Sequence, residues 1–141
     1  MTDRFSPAVR SKMMANIRGK NTKPEIVVRR LLHEMGYRFR LHRKDLPGTP
    51  DIVFPGRKAL IFVHGCFWHQ HEGCRFAAVP ATRRSFWENK LSGNVSRDRR
   101  AVTALRRAGW RVSVIWECQT QRATGLENRL RRFLDFEKVL R

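Results

Sequence analysis

The sequence predicts an α/β domain in which a small mixed sheet is flanked by helices. Apolar residues recur at helical spacing near both ends of the chain, and short apolar runs between them have the length of strands. The 141 residues and the hydrophobic content of 41% suffice for one domain with a modest core. Because helices and strands in this order are typical of a single α/β unit, we treat residues 1–141 as one domain.

The first predicted helix covers residues 23–35 and follows a basic N-terminal arm, residues 1–21. Thr22 and Glu25 form the T-x-x-E pattern of a capping box, and Gly36 suits the end of the helix. Its apolar stripe, at positions i, i+3, i+4 and i+7, consists of Val28, Leu31, Leu32 and Met35. The cap, the stripe and the glycine together define one amphipathic helix.

Three strands and three further helices are expected after it. The segments DIVF, which begins at Asp51, and KALIFVHG indicate two strands joined by a turn, and WRVSVIWEC alternates as a third strand. Helices are expected over residues 85–91 and 94–108, and Gly109 ends the second of them. A closing helix is indicated by Leu126, Leu130, Phe133 and Leu134.

The chain carries 30 Lys and Arg residues against 12 acidic residues, which gives a net charge of +18. Self-repulsion on this scale opposes folding, and its commonest use is to bind a polyanion, so nucleic acid is the first expectation. A lipid surface or an acidic protein is the alternative. The sequence lacks a long apolar run and an apolar N-terminal segment, so we expect a cytoplasmic protein with reduced thiols.

The stretch VHGCFWHQHEGC contains cysteines and histidines at a spacing that suggests metal binding. Cys66, His71 and Cys74 supply three ligands in the pattern C-x4-H-x2-C, and Cys118 follows the last predicted strand. Thiolate and imidazole in a set of four suit a tetrahedral, structural zinc ion. The alternative is that the cysteines are buried apolar residues and the histidines lie on the surface.

Asp51, at the head of one strand, and His64, at the end of the next, suggest a catalytic centre. A carboxylate on adjacent strands can hold Mg²⁺ in a nuclease, and a histidine beside the attacking water can act as general base. His64 and His69 are the histidines of this stretch that zinc does not require. A Pro-Asp pair before a strand is also a common turn, and Glu25 is already explained as a helix cap.

Phe67 and Trp68 lie between a predicted zinc ligand and a predicted base, and Trp87 lies in the segment RRSFWENK. Large apolar side chains beside a basic surface can wedge between base pairs. Packing in the core is the alternative, and the two interpretations are evenly matched for Phe67 and Trp68. Trp110 and Trp116 lie on a predicted strand, so we expect them in the core.

The ordered motifs PDIVF, IFVHGCFWHQH, VPATRRSFWENK, NVSRDRR and GWRVSVIWEC, with RSKMMANI near the start, resemble the very-short-patch-repair (Vsr) endonucleases. These are bacterial enzymes that nick DNA at T:G mismatches. The resemblance implies a restriction-endonuclease-like core with a zinc-stapled loop. It also implies Mg²⁺-dependent nicking of one strand, 5′ of the T in a T:G mispair that arises by deamination of 5-methylcytosine.

Residue by residue, the resemblance implies a catalytic centre. Asp51 corresponds to the Mg²⁺-binding aspartate, and Val63 to a position whose backbone carbonyl binds the same ion, although the family has threonine there. His69 corresponds to the general base, His64 to a further active-site histidine and Glu25 to a catalytic-site glutamate.

The resemblance also implies contacts with DNA. The residues expected to enter or face the DNA are Phe67, Trp68, Trp87, Met14, Asn94 and Asp98. One departure concerns the zinc loop, because Glu72 and Gly73 make the segment between His71 and Cys74 one residue longer than in the family. Gly73 would let this loop relax around the metal.

The implied partner is double-stranded DNA with a T:G mismatch. A functional link to a cytosine-5 methyltransferase and to mismatch-repair proteins, action as a monomer, and a bacterial cytoplasmic, nucleoid-associated location are also expected. Two other functions stay open. A sequence-specific restriction-type nuclease would cut both strands of matched DNA, and a non-catalytic zinc-containing DNA-binding module would keep its function after Asp51→Asn.

Overall fold

The computed structural model describes residues 22–135. Besides short 3₁₀ turns, its elements are helix α1 (Lys23–Glu34), strands β1 (Arg40–Leu41), β2 (Ile52–Phe54) and β3 (Ala59–His64), helix α2 (Arg84–Arg107), strand β4 (Arg111–Trp116) and helix α3 (Ala123–Leu134). The basic arm of residues 1–21, with Met14, lies outside the described residues. Within them, no helix is both long enough and apolar enough to cross a membrane.

The four strands form one mixed sheet in the order β1-β2-β3-β4. The first three are antiparallel to one another, whereas β4 runs parallel to β3 with Val63 opposite Ile115. Parallel neighbours need a long crossover connection, and α2 provides it. The predicted α/β architecture with a mixed sheet is therefore confirmed. Strand β1 was not predicted, because two residues are too few to show an alternating pattern.

The two faces of the sheet bury separate cores, because successive side chains of a strand point to opposite sides. Helices α1 and α3 cover one face, where the buried residues are Val28, Leu32, Ile52, Phe54, Ala59, Ile61, Ile115, Leu126, Leu130 and Leu134. Helix α2 covers the other face, where the buried residues are Val53, Leu60, Phe62, Leu105 and Trp110. Residues at the ends of β2 and β3 are thus held by packing on both sides.

Helix α2 is continuous from Arg84 to Arg107, so the prediction of two helices interrupted at residues 92–93 is wrong. A glycine inside a helix costs only about 1 kcal/mol relative to alanine. Burying a leucine contributes about 2 kcal/mol, and α2 buries Leu91 on one side of Gly93 and Leu105 on the other. Tertiary packing therefore outweighs the local preference for a break.

Candidate active site and metal-ligating clusters

A cleft of about 990 Å³ opens between the start of α1, the adjoining ends of β2 and β3, and helix α2. Two groups of side chains line it, and in each the potential ligand atoms lie within 4.8 Å of one another. The carboxylate cluster consists of Glu25, His42 and Asp51, and the histidine cluster consists of His64, His69 and Asp98. A third group, the cysteine cluster, consists of Cys66, His71, Cys74 and Cys118.

Asp51 reaches the cleft because it directly precedes β2 and is tied to the neighbouring strand. Its Oδ2 atom accepts a hydrogen bond of 2.7 Å from the backbone N–H of Val63 on β3. Burial raises the pKa of Asp51 to about 7; the N–H of Val63 opposes this shift, and the nearby charge of Glu25 adds to it. A bound cation would stabilise the charged form of such a carboxylate.

Glu25 lies in the first turn of helix α1 and is a member of this cluster. Its backbone N–H donates to Oγ1 of Thr22 at 3.4 Å, as the capping pattern predicts. Its carboxylate is only 2% exposed; it lines the cleft and accepts a hydrogen bond of 3.1 Å from Nη1 of Arg29. Thr22 thus supplies one half of the predicted capping box, whereas the carboxylate of Glu25 is directed to Arg29 and His42.

His42 is a residue of the cleft that the sequence analysis missed. Its Nε2 atom lies 3.0 Å from Oε1 and 2.9 Å from Oε2 of Glu25. Strand β1 places it there, because its backbone N–H donates to the carbonyl of Asp51 at 3.1 Å. Sequence analysis could have found His42 only by predicting this strand pairing. Strand β1 has two residues, which is too short to show a strand pattern.

His69 is oriented by a carboxylate. Its Nδ1 atom lies 2.7 Å from Oδ2 of Asp98 on helix α2. A carboxylate on Nδ1 favours the tautomer with the proton on that nitrogen, which leaves Nε2 as an acceptor. An imidazole oriented in this way by a carboxylate is suited to accept a proton at Nε2.

His64 stacks on His69 with the ring centroids 3.8 Å apart and the planes at 5°. It is buried, and its Nδ1 atom has no hydrogen-bond partner among residues 22–135. Burial lowers the pKa of His64 to about 3, and the adjacent His69 contributes to the shift. His64 is therefore a neutral imidazole at physiological pH.

The cysteine cluster has dimensions that suit zinc. Zinc–sulfur and zinc–nitrogen bonds of about 2.3 and 2.0–2.1 Å at a tetrahedral angle separate sulfur from nitrogen by about 3.6 Å. Nδ1 of His71 lies 3.7 Å from Sγ of Cys66 and 3.5 Å from Sγ of Cys118. Burial raises the pKa of the Cys66 thiol to about 12, and a bound cation would offset that cost. The donor set and spacing therefore fit a closed, four-ligand site.

The longer loop between His71 and Cys74 is accommodated by glycine. Gly73 adopts φ +73°, a conformation that glycine reaches without steric cost. The loop closes with a hydrogen bond of 3.2 Å from the N–H of Cys74 to the carbonyl of His71. Cys74 thereby stays within the cluster.

Trp110 and Trp116 behave differently, although both were expected in the core. Trp110 is buried beside α2. Trp116 is only partly buried, so the expectation is wrong for it. Its ring stacks on His71 with centroids 4.2 Å apart and planes at 9°, and it contacts His64 edge-on at 5.2 Å. Trp116 thus separates the cysteine cluster from the histidine cluster.

Four aromatic side chains form a continuous cluster next to the cleft. Ring centroids of Phe67, Trp68 and Trp87 lie 5.0–5.9 Å apart, and Phe86 extends the group at 5.2 Å from Trp87. Trp68 is only 4% exposed, which favours the core-packing alternative at this residue. Phe67 and Trp87 are partly exposed, and Phe86 is 44% exposed.

Asn94 has a structural contact that the sequence does not reveal. Its Nδ2 atom donates to the backbone carbonyl of Trp68 at 3.0 Å, and its Oδ1 atom accepts from Arg97. Helix α2 therefore holds the aromatic loop through Asn94 and the catalytic histidine candidate through Asp98.

A second residue missed by the sequence analysis is Glu117. It lines the cleft, and its Oε1 atom accepts a hydrogen bond of 3.4 Å from the N–H of Cys66. It thereby links the end of β4 to the start of the loop after β3.

Comparison with known proteins gives a consistent result. The family described as "DNA mismatch endonuclease Vsr" matches residues 2–75. The "Type II nicking enzyme V.XorIIP" of Xanthomonas oryzae is 56% identical over 96% of this chain and 98% of its own length. The "Type II nicking enzyme V.NmeAIP" of Neisseria meningitidis is 39% identical over 95% of each chain. The "DNA mismatch endonuclease Vsr" of Escherichia coli is 45% identical over 84% of this chain and 75% of its own.

Proposed function

The chain belongs to the Vsr family of DNA mismatch endonucleases, and from this premise we propose that it nicks one DNA strand 5′ of the T in a T:G mispair. Water attacks the phosphorus, the bond to the 3′ oxygen breaks, and the products are a 3′-hydroxyl and a 5′-phosphate. The observation that carries the proposal is the shared cleft, in which the carboxylate of Asp51 and the His69–Asp98 pair face the same space.

Glu25 and Asp51 supply carboxylate oxygens within 4.8 Å of each other, and such oxygens are suitable ligands for a divalent cation. Asp51 and the backbone carbonyl of Val63 would hold Mg²⁺, with Glu25 beside them. When bound, this ion polarises the phosphate and activates water. The chain's own contribution is to fix Asp51 through the 2.7 Å hydrogen bond from Val63.

His69 is the proposed general base. The contact with Asp98 leaves its Nε2 atom free to accept a proton from the attacking water. His64 supports the ring of His69 by stacking at 3.8 Å. As a neutral imidazole, it does so without adding a positive charge beside the ring that accepts the proton.

The cysteine cluster is proposed to hold a structural zinc ion. Cys66, His71, Cys74 and Cys118 would fill all four tetrahedral positions, which leaves none for a substrate. The ion would join the loop after β3 to the end of β4. Because this loop also carries Phe67, Trp68 and His69, fixing it would position the aromatic cluster and the base together.

DNA binding is supported by charge and by the aromatic cluster. The net charge is +18, and the arginines of helix α2 include Arg97, Arg99, Arg100, Arg106 and Arg107. Phe67, Trp68 and Trp87 are proposed to wedge into the duplex beside the mispair, with Met14 approaching it from the other groove. Unstacking costs a few kcal/mol per step and less at a mispair, so a wedge would select the T:G pair.

The proposed role implies a functional link to a second enzyme. Deamination of 5-methylcytosine produces the T:G pair, so a cytosine-5 methyltransferase with the same target sequence would create the sites that this enzyme repairs. Mismatch-repair proteins would act on the same lesions. The enzyme would work as a monomer on chromosomal DNA in the bacterial cytoplasm.

Nicking of labelled duplexes tests the proposal. Each duplex carries a single T:G pair in one of several flanking sequences, with CC(A/T)GG first, and is compared with its matched counterpart in the presence of Mg²⁺. We expect one nick, 5′ of the T, that Asp51→Asn abolishes. Cutting of both strands of matched DNA would instead indicate a restriction-type nuclease. Tight binding without cutting in every flanking sequence would indicate a binding module.

A further inference from the structure

His42 brings an imidazole nitrogen into a cluster that otherwise contains carboxylates. Its Nε2 atom lies within 3.0 Å of both carboxylate oxygens of Glu25, and the ligand atoms of Glu25, His42 and Asp51 lie within 4.8 Å of one another. The His42 side chain is 12% exposed and that of Glu25 is 2% exposed. Two carboxylates and one nitrogen therefore converge at the base of the cleft.

The backbone holds His42 in this position. Leu41 pairs with Ile52, and one residue further the N–H of His42 donates to the carbonyl of Asp51. His42 has φ +48°, a conformation that costs a non-glycine residue roughly 1 kcal/mol or more. Such strained residues cluster at functional sites, where the surrounding structure determines them. The backbone pairing therefore fixes His42 against the carboxylate of Glu25.

We infer that Glu25, His42 and Asp51 together bind a divalent ion of the first transition row, such as Mn²⁺, in preference to Mg²⁺. Mg²⁺ selects oxygen ligands, whereas imidazole suits transition metals. Asp51 and Glu25 offer carboxylate oxygens and His42 offers an imidazole nitrogen, a mixed donor set that suits such an ion. On binding, Nε2 of His42 contacts the metal instead of Glu25, and any proton on it passes to water. Arg29 still holds Glu25 from the side.

The inference rests on the proposed function only in taking this cleft to be the hydrolytic site. Two alternative roles for His42 lead to different metal affinities. If His42 only neutralises Glu25, its loss changes the affinities for Mn²⁺ and Mg²⁺ by the same factor. If the histidine cluster is the site that prefers transition metals, the preference depends on His69 instead.

Direct measurement of metal binding distinguishes these roles. The protein is passed over a chelating resin, which leaves ions held by thiolates in place. Mn²⁺ is then titrated in while the electron paramagnetic resonance signal of free Mn²⁺ is recorded, and Mg²⁺ is added as competitor. His42→Asn is the main variant, because asparagine tolerates φ above zero and offers an oxygen that suits Mg²⁺. His69→Gln and the exposed His33→Gln are the matched controls.

We expect the wild type to bind Mn²⁺ at least about tenfold more tightly than Mg²⁺, a factor on the scale at which groups around a metal act. His42→Asn should remove most of this preference, and both controls should keep it. Equal affinities in the wild type, an unchanged ratio in His42→Asn, or loss of the preference in His69→Gln would each overturn the inference.

A second readout covers the case in which the variant fails to fold. Bound Mn²⁺ broadens nearby nuclear magnetic resonance signals, so the ring signals of His42 in the wild type should disappear before those of His69. The reverse order would reject the site. Nicking of T:G duplexes is measured separately. A chain that nicks but shows no Mn²⁺ preference contradicts this inference alone, whereas Mn²⁺ preference without nicking contradicts the mismatch function alone.

Discussion

Oδ2 of Asp98 lies 2.7 Å from Nδ1 of His69, although the two residues are separated by 29 positions in the chain. The contact joins helix α2 to the loop after β3, so the position of the proposed base depends on the packing of a helix. Because the carboxylate contacts the imidazole of His69, we propose that Asp98 is a positioning residue.

We predict that Asp98→Asn slows T:G nicking by about 10³-fold, on the scale seen when the carboxylate partner of a catalytic histidine is neutralised. An amide can donate to Nδ1 and so favour the tautomer that has its proton on Nε2, the atom proposed to accept one. Single-turnover nicking rates measured across a range of pH test this. The control is Asp45→Asn, which removes an exposed carboxylate that pairs with Arg43. Equal rates in the two variants would show that Asp98 does not orient the base.

The second prediction concerns the cost of the Asp51 charge. The pKa of Asp51 is about 7 in the folded protein, above its ordinary value of 3.8. The folded state therefore holds the proton more tightly than the unfolded state, and the stability that this gives is lost as pH rises from about 4 through 7. Asp51→Asn removes the titration, so its advantage in unfolding free energy should grow between pH 5 and pH 8.

We expect Asp51→Asn to exceed the wild type by on the order of 2 kcal/mol at pH 8, while its nicking activity is lost. Urea unfolding at several pH values without added Mg²⁺ measures the difference. Added Mg²⁺ should narrow it, because the ion would stabilise only the wild-type carboxylate. A difference that is independent of pH would mean that the charge of Asp51 is already compensated by other groups.

Much of this fold follows from local sequence signals. The Thr22–Glu25 cap, the apolar stripe and Gly36 predicted α1 to within a residue of its observed end. The apolar segment KALIFVHG predicted β3. These elements could be predicted because the spacing of their apolar residues and the signals at their ends indicate the same structure. Helix α2 was harder to predict, because the packing of Leu91 and Leu105 overrides the break that Gly93 suggests.

The cleft was only partly predictable, for a related reason. Asp51 and His64 lie at strand ends and His69 lies in the loop after β3, where short-range sequence patterns indicate them. His42 and Glu117 carry no such mark, because their roles depend on contacts with Glu25 and Cys66 that are 17 and 51 positions away. Tertiary contacts of this kind leave no periodicity in a single sequence.

The third prediction concerns the cysteine cluster. Cys118→Ala removes one of the four proposed zinc ligands, so the loop after β3 would lose its proposed link to β4. We expect loss of the proposed zinc ion, a fall in unfolding free energy of at least about 3 kcal/mol, and loss of nicking. Zinc content, thermal unfolding and nicking are measured on the same preparations. Gln121→Ala, at an exposed position three residues further along, is the control. Full stability and activity in Cys118→Ala would exclude a structural zinc that positions the loop.

The last prediction tests how the turn before Asp51 sets the position of that carboxylate. Gly48 lies in this turn with φ +75°, and a Cβ atom there would lie 2.8 Å from Cβ of Ala101 and 3.2 Å from the ring of Phe62. Gly48→Ala therefore combines backbone strain with a collision against helix α2. The turn must move, and Asp51 follows it only a few residues later.

We expect Gly48→Ala to lower the unfolding free energy by about 2 kcal/mol and to slow nicking even at temperatures where the variant is fully folded. Gly56→Ala is the matched control, because Gly56 lacks a positive φ and a Cβ atom there would meet nothing within 4 Å. Its stability should change by no more than about 0.5 kcal/mol. If Gly48→Ala were destabilised but nicked at the normal rate when folded, the turn would support the fold without setting the position of Asp51. Since the backbone of Asp51 is also bonded to His42 and its side chain to Val63, this comparison measures how much of its placement comes from the turn.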